Sequence, residues 1–355
     1  MIRRAVLVEV LSYSDAMRSI ARATNKYLLL GNGFSIALKP DIFTYGSLYE
    51  NADFSAAPYL PQIFDALGTR DFEVIIRHLS DTAQIIEVYR PKLRTLAARL
   101  RRDAEVVKDI LVEVIASRHP SRPYEISNDQ YRSCRAFLRP FRSIFTLNYD
   151  VLLYWALMQN ELGDGRFDHD DGFRHPVDNE DAPYVSWQQG SSATVSYLHG
   201  ALHVFDRGTE ITKYTWSKTD MPIVEQVRDA LNDNKFPVFV AEGSTDMKVE
   251  RILHNAYLHK ALRSFEGSMK AATGALVVFG HSLAPNDDHI LRCIAAGGVS
   301  NLLVGLYGPP DTPANRVAIR HAQALTALRK RLRGDRWPLA LKFYDAASAH
   351  VWDAP

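Results

Sequence analysis

Residues 27–35 read Tyr27-Leu28-Leu29-Leu30-Gly31-Asn32-Gly33-Phe34-Ser35. An apolar strand runs straight into Gly-x-Gly, and the residues after the turn begin a helical pattern. An α/β fold uses this turn to present backbone N–H groups to a phosphate. By itself the turn is not specific, because glycines at this spacing also serve a plain tight turn. Ile36 stands where the hydride-transfer fingerprint G-x-G-x-x-G needs its third glycine. No ribose-binding acid stands about 20 residues on, at the end of a second short strand. Both absences argue against a standard dehydrogenase.

Beyond the turn, residues 35–65 mix turn formers with aromatics (Pro40-Asp41, Tyr45-Gly46-Ser47, Pro58, Pro61). They predict a lid or pocket wall with little regular structure. Apolar residues then recur at helical spacing, from Phe72, Ile75, Ile76 and Leu79 through to Ile115, interrupted at Pro91. This predicts helices over 71–90 and 91–118, with another over 128–139. Further on, strands are expected at 143–148, 195–205, 236–241, 274–280, 301–307 and 339–344. Helices are expected at 150–160, 220–233, 247–265, 286–296 and 313–333. Runs such as Ala275-Leu276-Val277-Val278-Phe279 suit a parallel sheet buried on both faces. The expected fold is therefore α/β: a Rossmann-like parallel sheet with helices on both faces. A helical insertion, 71–140, comes after the first βα unit of a single domain over 1–355. Residues 161–194 are polar and read as a long surface connection.

Five polar clusters close or interrupt apolar runs: Gly31–Ser35, Asn148–Asp150, His199-Gly200, Glu242-Gly243 and Gly280–Leu283. In a parallel sheet they converge on the C-terminal edge, where such folds bind ligands.

The chain has 355 residues, 46% of them hydrophobic, enough for a substantial core and against disorder. Its 42 basic and 41 acidic side chains leave a formal charge of +1, so no global field favours nucleic acid or an anionic membrane. Cys134 and Cys293 form no C-x-x-C pair and have no metal-ligand spacing, and read as buried thiols of a reducing compartment. The N-terminal apolar stretch resembles a leader but is broken by Glu9. No run approaches the roughly 20 apolar residues of a membrane span. A cytoplasmic, bacterial-type protein is expected.

The motif order Gly-x-Gly-Phe-Ser, Thr-x-Asn-Tyr-Asp, His-Gly, Phe-x-x-Glu-Gly, Gly-x-Ser-Leu resembles the sirtuin-like superfamily, in particular its zinc-free bacterial NAD hydrolases. The resemblance covers about 27–41 and 143–310. It implies that Gly31, Gly33 and Ser35, with Asn32 and Phe34 of the same turn, contact NAD phosphates. Asp41 would belong to the segment covering the nicotinamide. Asn148, Asp150 and His199 would be catalytic. Glu242, Gly280 and Ser282 would contact the nucleotide. Two departures are Asn32 in place of alanine and Leu147 in place of glutamine. The four-cysteine zinc module is missing, which argues against protein deacetylation. The implied activity is NAD hydrolysis to nicotinamide and ADP-ribose without a metal, with a role in anti-phage defence. A homo-oligomer or a regulatory protein partner would restrain it.

The residue types suit that chemistry. Nicotinamide in NAD is a cationic leaving group and needs little acid help. An oxocarbenium-like transition state needs a neutral polar group for ribose hydroxyls, as Asn148 supplies. It also needs a proton acceptor near neutral pH, as His199 supplies. Asp150 would orient either. An NAD- or ADP-ribose-sensing module without turnover, another nucleotide hydrolase and an ADP-ribosyl transferase remain open.

Other residues read more simply. Asp287-Asp288-His289 either caps a helix or contributes ligands, with Asp287 a candidate nucleotide contact. His203 reads as structural, and Trp187, Trp216 and Trp352 as packing residues. Arg99, Arg101 and Arg102 read as a solvated helix face, and Asp168-His169-Asp170-Asp171-Gly172 as a solvated loop.

Overall fold

The computed structural model describes residues 8–165, 167–179, 181–215, 221–233, 235–241 and 244–353. The strands are β1 (Val10–Leu11), β2 (Lys26–Leu30), β3 (Ser143–Thr146), β4 (Phe173–Arg174), β5 (Tyr184–Trp187), β6 (Val195–Tyr197), β7 (Val204–Asp206), β8 (Ile211–Tyr214), β9 (Ala275–Phe279), β10 (Asn301–Leu306) and β11 (Ala340–Asp345). Seven of them form a parallel sheet in the order β1-β11-β10-β9-β2-β3-β6. The fold is α/β and Rossmann-like, as the continuous apolar strands require.

Helices pack on the two faces. Along β2, Leu28 and Leu30 enter one core while Tyr27 and Leu29 enter the other, the alternation a strand imposes. The helices are α1 (Tyr13–Ser19), α2 (Gly33–Leu38), α3 (Pro40–Phe43), α4 (Tyr45–Asn51), α5 (Leu60–Leu67), α6 (Phe72–Tyr89), α7 (Arg94–Arg118), α8 (Asn128–Leu138), α9 (Leu152–Met158), α10 (Ile223–Asn232), α11 (Thr245–His254), α12 (Ala256–Met269), α13 (Asp288–Ala296) and α14 (Pro313–Arg333). Caps delimit many of them: Asp71 accepts from the Glu73 and Val74 N–H groups at the start of α6, and Ser127 with Gln130 makes a capping box for α8. No described helix is long and apolar enough to cross a membrane.

The chain order sets where a ligand can enter. From β2 the chain steps to β3 and then β6 on one side. It returns to the other side of β2 for β9, β10 and β11. The direction reverses between β2 and β9, so the crevice of this sheet opens beyond Leu30 and Phe279.

Several expectations need correction. Residues 35–65 are mostly helical (α2 to α5), because Pro40 and Pro61 sit in first turns, where the missing N–H costs nothing, while Pro58 stays in the turn between α4 and α5. The stretch 195–205 is not one strand: β6 ends at Tyr197, and Gly200, at φ +82°, turns the chain toward β7. Residues 236–241 form no strand beyond one bridge between Phe239 and Gly200. The helix expected over 247–265 is two, divided at Asn255, whose side chain caps α12. The expected surface connection 161–194 contains β4 and β5 of a second, antiparallel sheet, β4-β5-β8-β7. Asp171, in the segment expected to be a solvated loop, pairs with buried Lys213. The N-terminal stretch supplies β1, which pairs with β11.

Candidate active site

The glycine turn meets the loop after β9 at the switch point. Gly31 N–H donates to Phe279 O and Gly33 N–H to Gly280 O, both at 2.9 Å. A Cβ on Gly33 would stand 2.4 Å from Gly280 Cα, and one on Gly31 would stand 2.6 Å from Gly280 O. Gly280 itself has φ +70°. These glycines therefore extend the β2–β9 ladder by backbone contact, and the crevice floor carries no side chains from them. Trp352 Nε1 donates to Phe34 O at 2.8 Å and packs on the Phe34 ring, tying the chain's end to the turn.

Ser35, fully buried in α2, is the hub of a first polar group. Its hydroxyl donates to Asp150 Oδ2 and accepts from Asn148 Nδ2 at 2.9 Å. Asp150 Oδ1 accepts the Leu152 N–H at 2.9 Å, at the start of α9. Burial raises the Asp150 pKa, against the lowering pull of those two donors. Thr146 Oγ1 accepts the Asn148 backbone N–H at 3.0 Å. Asn148 Oδ1 is buried and has no partner among the described residues.

A second buried group surrounds His199, which lies just beyond β6. Its Nε2 is 3.1 Å from His289 Nε2 and 3.8 Å from Asp287 Oδ1. Lys248, wholly buried on α11, sits 2.8 Å from Asp287 Oδ1 and 2.8 Å from Glu73 Oε2. His281 Nε2 lies 3.0 Å from Asp287 Oδ2, and its Nδ1 accepts the Leu283 N–H, so His281 is a donor to Asp287. Asn286 Nδ2 donates to Glu73 Oε2 at 3.1 Å. Tyr149, between Asn148 and Asp150, places its hydroxyl 3.1 Å from Glu73 Oε1. The segment 148–150 thus borders both groups.

The electrostatics are unequal. Burial holds the His199 pKa well below the usual imidazole value, Lys248 lowers it further, and Asp287 opposes both. Burial likewise brings His289 down to about 4. Burial works to raise Asp287, but the His281 hydrogen bond and the Lys248 charge prevail and hold it well below the carboxylate range. Asp287 is thus held ionised beside the Lys248 ammonium, next to two imidazoles that burial keeps neutral. His199, Asp287 and His289 place ligand-type atoms within 4.8 Å of one another. Lys248 already supplies a cation at the same carboxylate oxygen. We therefore read the group as an acid–base cluster.

The remaining candidates lie apart from these groups. Asn32 is held by its own side chain, Nδ2 donating to Phe43 O at 2.9 Å. Asp41 and Ser282 are exposed. Glu242 and Trp216 lie outside the described residues. Gly200 lets the chain close: a Cβ there would fall 2.0 Å from Val238 O.

Sequence reasoning missed Glu73, Lys248 and the pairing of His199 with His289. One signal was available, since Lys248 stands one turn before Ile252 on the buried face of α11.

Residues 28–352 match the family described as "Domain of unknown function (DUF4917)". The chain belongs to the DUF4917 family. No curated protein matches it. Among solved structures, one titled "The Structural basis of Sirtuin Substrate Affinity" is similar at 13% identity and a TM-score of 0.39, covering 88% of this chain and 99% of that one. Another, titled as the crystal structure of a Sir2 homolog–NAD complex, is 14% identical with a TM-score of 0.37, covering 92% and 96%. Likeness at this level carries no functional argument, so the reading of this DUF4917 chain rests on its own residues.

Proposed function

We propose that this protein binds NAD in the crevice between β2 and β9 and hydrolyses it to nicotinamide and ADP-ribose. Residues 1–355 act as one domain, with 71–140 an insertion that brings Glu73 to the site. One observation carries the reading: Asn148 Oδ1 is a buried acceptor without a partner among the described residues, while its Nδ2 is fixed by Ser35 of the glycine turn. A buried acceptor is costly unless something donates to it. A ribose hydroxyl is such a donor, and an uncharged amide can hold it as positive charge develops at the sugar.

Gly31, Gly33 and Gly280 seat the turn after β2 against the loop after β9, their N–H groups at Gly31 and Gly33 spent on Phe279 O and Gly280 O, at the crevice edge where the pyrophosphate would lie. His199 accepts the proton of the attacking water. The Asp287 carboxylate, held ionised by His281 and Lys248, favours the cationic pyridinium and the oxocarbenium formed from it. NAD bound when the enzyme acts is substrate, and no metal enters the scheme. By the motif resemblance, the setting is anti-phage defence.

The test is nicotinamide release from NAD by the purified chain, compared with Asn148→Ala and His199→Ala. Both variants are expected to lose turnover, by about 10²–10⁴-fold, while remaining folded, as a cooperative melting transition would show. Undiminished release in both would refute the assignment. A second reading, binding without turnover, is favoured by the low basicity of His199 in the resting protein. Calorimetric binding of NAD with no nicotinamide released would establish it instead.

A further inference from the structure

We infer that His289 is the positioning residue of His199. The two imidazoles share one hydrogen between their Nε2 atoms; carried by His199, it leaves His199 Nδ1 to take the reaction's proton and puts the hydrogen of the second ring on buried His289 Nδ1, with Asp287 as counter-charge. This rests on the hydrolytic reading above and adds to it a partner that the motif resemblance does not contain.

The geometry is direct. The Nε2 atoms are 3.1 Å apart, with ring centroids at 5.2 Å and planes 25° apart. Both rings are buried, at 2% and 6% exposure. Two neutral imidazoles meeting nitrogen to nitrogen at that distance must place one hydrogen between them, or two lone pairs would oppose each other in a dry site. His289 belongs to the first turn of α13, and the 3-10 turn Pro285–Asp287 anchors that helix. His199 lies beyond the end of the short edge strand β6. The contact therefore pins a ring on an irregular segment to a ring on a helix.

The charges around the pair come from several elements. Lys248 on α11 opposes protonation of both rings, while Asp287 favours it for both and Asp288 on α13 for His289. Glu73 on α6 holds Lys248, and His281 holds Asp287. Tyr149 and Tyr45 complete the rim near Glu73 and Asp287. Asp287 Oδ1, at 3.8 Å, is too far from His199 Nε2 to hydrogen-bond but close enough to act by charge.

The step balances. Water gives a proton to His199 Nδ1 as its oxygen bonds to the ribose C1. The C1–N bond breaks, and its electron pair leaves with neutral nicotinamide. The Nε2 hydrogen of His199 shifts toward His289 Nε2, and the positive charge spreads over two rings facing Asp287 until the proton passes to solvent.

Two measurements test this on the full chain. Histidine nitrogen NMR of the resting protein, without NAD, is expected to show scalar coupling between two imidazole nitrogens across one hydrogen, lost in His289→Phe. In kinetics, His289→Gln preserves a hydrogen-bonding side chain but takes no proton. It is expected to keep KM for NAD within about twofold, to lose about 10²-fold in kcat and to shift the acidic limb of the kcat profile. Absence of the coupling in wild type, or a His289→Gln variant with wild-type kcat and pH profile, overturns the proposal. If wild type releases no nicotinamide, the hydrolytic reading fails while the NMR arm still decides whether the imidazole pair exists.

Discussion

Gly33 and Gly280 meet backbone to backbone, so that a Cβ on either would lie within 2.6 Å of the other's Cα. They join strands about 250 residues apart in the chain, and they do so where the sheet reverses its winding. The glycine turn is thus explained by packing of one loop on the other.

Gly280→Ala is expected to destabilise the protein by more than about 2 kcal/mol, since it adds both a positive-φ penalty and a backbone clash. Gly46→Ala, where a Cβ meets nothing within 4 Å, is the control and should be near neutral. Urea unfolding of the two variants measures the contrast, and equal midpoints would contradict the packing role.

Lys248→Met is expected to cost roughly 3–5 kcal/mol, because it strands Asp287 and Glu73 beside a buried apolar side chain. Combining it with Glu73→Gln removes one of the stranded charges and should recover part of the loss. A double-mutant cycle on unfolding free energy reads the coupling, and simple additivity would show that the three groups do not act as a unit.

Acid should loosen the fold through its buried imidazoles. His119 and His289 are held near 4, and His199 and His203 well below the usual value, in each case chiefly by burial. Their folded pKa values lie below the unfolded value near 6.5, so the unfolded chain binds more protons as pH falls. The stability they confer is present above about pH 6.5. It is lost on acidification, at up to about 1.4 kcal/mol per pH unit for each group. Asp71 and Asp109, which burial raises to about 6, act in the opposite sense over the same range; with four imidazoles against two carboxyls, melting temperature is expected to fall from pH 6.5 to pH 5, and a flat profile would be inconsistent with neutral buried imidazoles.

Incubation with a chelator is expected to leave both melting and NAD cleavage unchanged, because Lys248 already neutralises the carboxylate that a cation would need. Loss of stability on chelation, restored by added Zn²⁺, would reassign the His199, Asp287 and His289 group.

Much of this architecture was legible in the sequence, for identifiable reasons. Leu28 to Leu30 and Ala275 to Phe279 are continuous apolar runs that no surface strand would carry, so they pointed to a parallel sheet. Helices α6, α7 and α14 announced themselves by period, while exact helix starts, as at the Asp71, Ser127 and Thr312 caps, came from the structure. Residues 35–65 misled because proline and glycine mark helix first turns and loops alike. The segment 236–241 misled because apolar composition does not distinguish a strand from a buried extended chain.

What the sequence by itself determined is part of the local order: the continuous apolar strands, the long periodic helices, and which polar residues stand at strand ends. Only the tertiary structure decided the partners. Ser35 joins Asn148 and Asp150, and His199 joins His289, Asp287 and, through Lys248, Glu73, because the winding of the sheet brings distant loops to one edge. Periodicity and composition report each residue's own neighbourhood along the chain. The charge state of a buried imidazole depends on groups far away in the chain, which only the fold brings within a few ångströms.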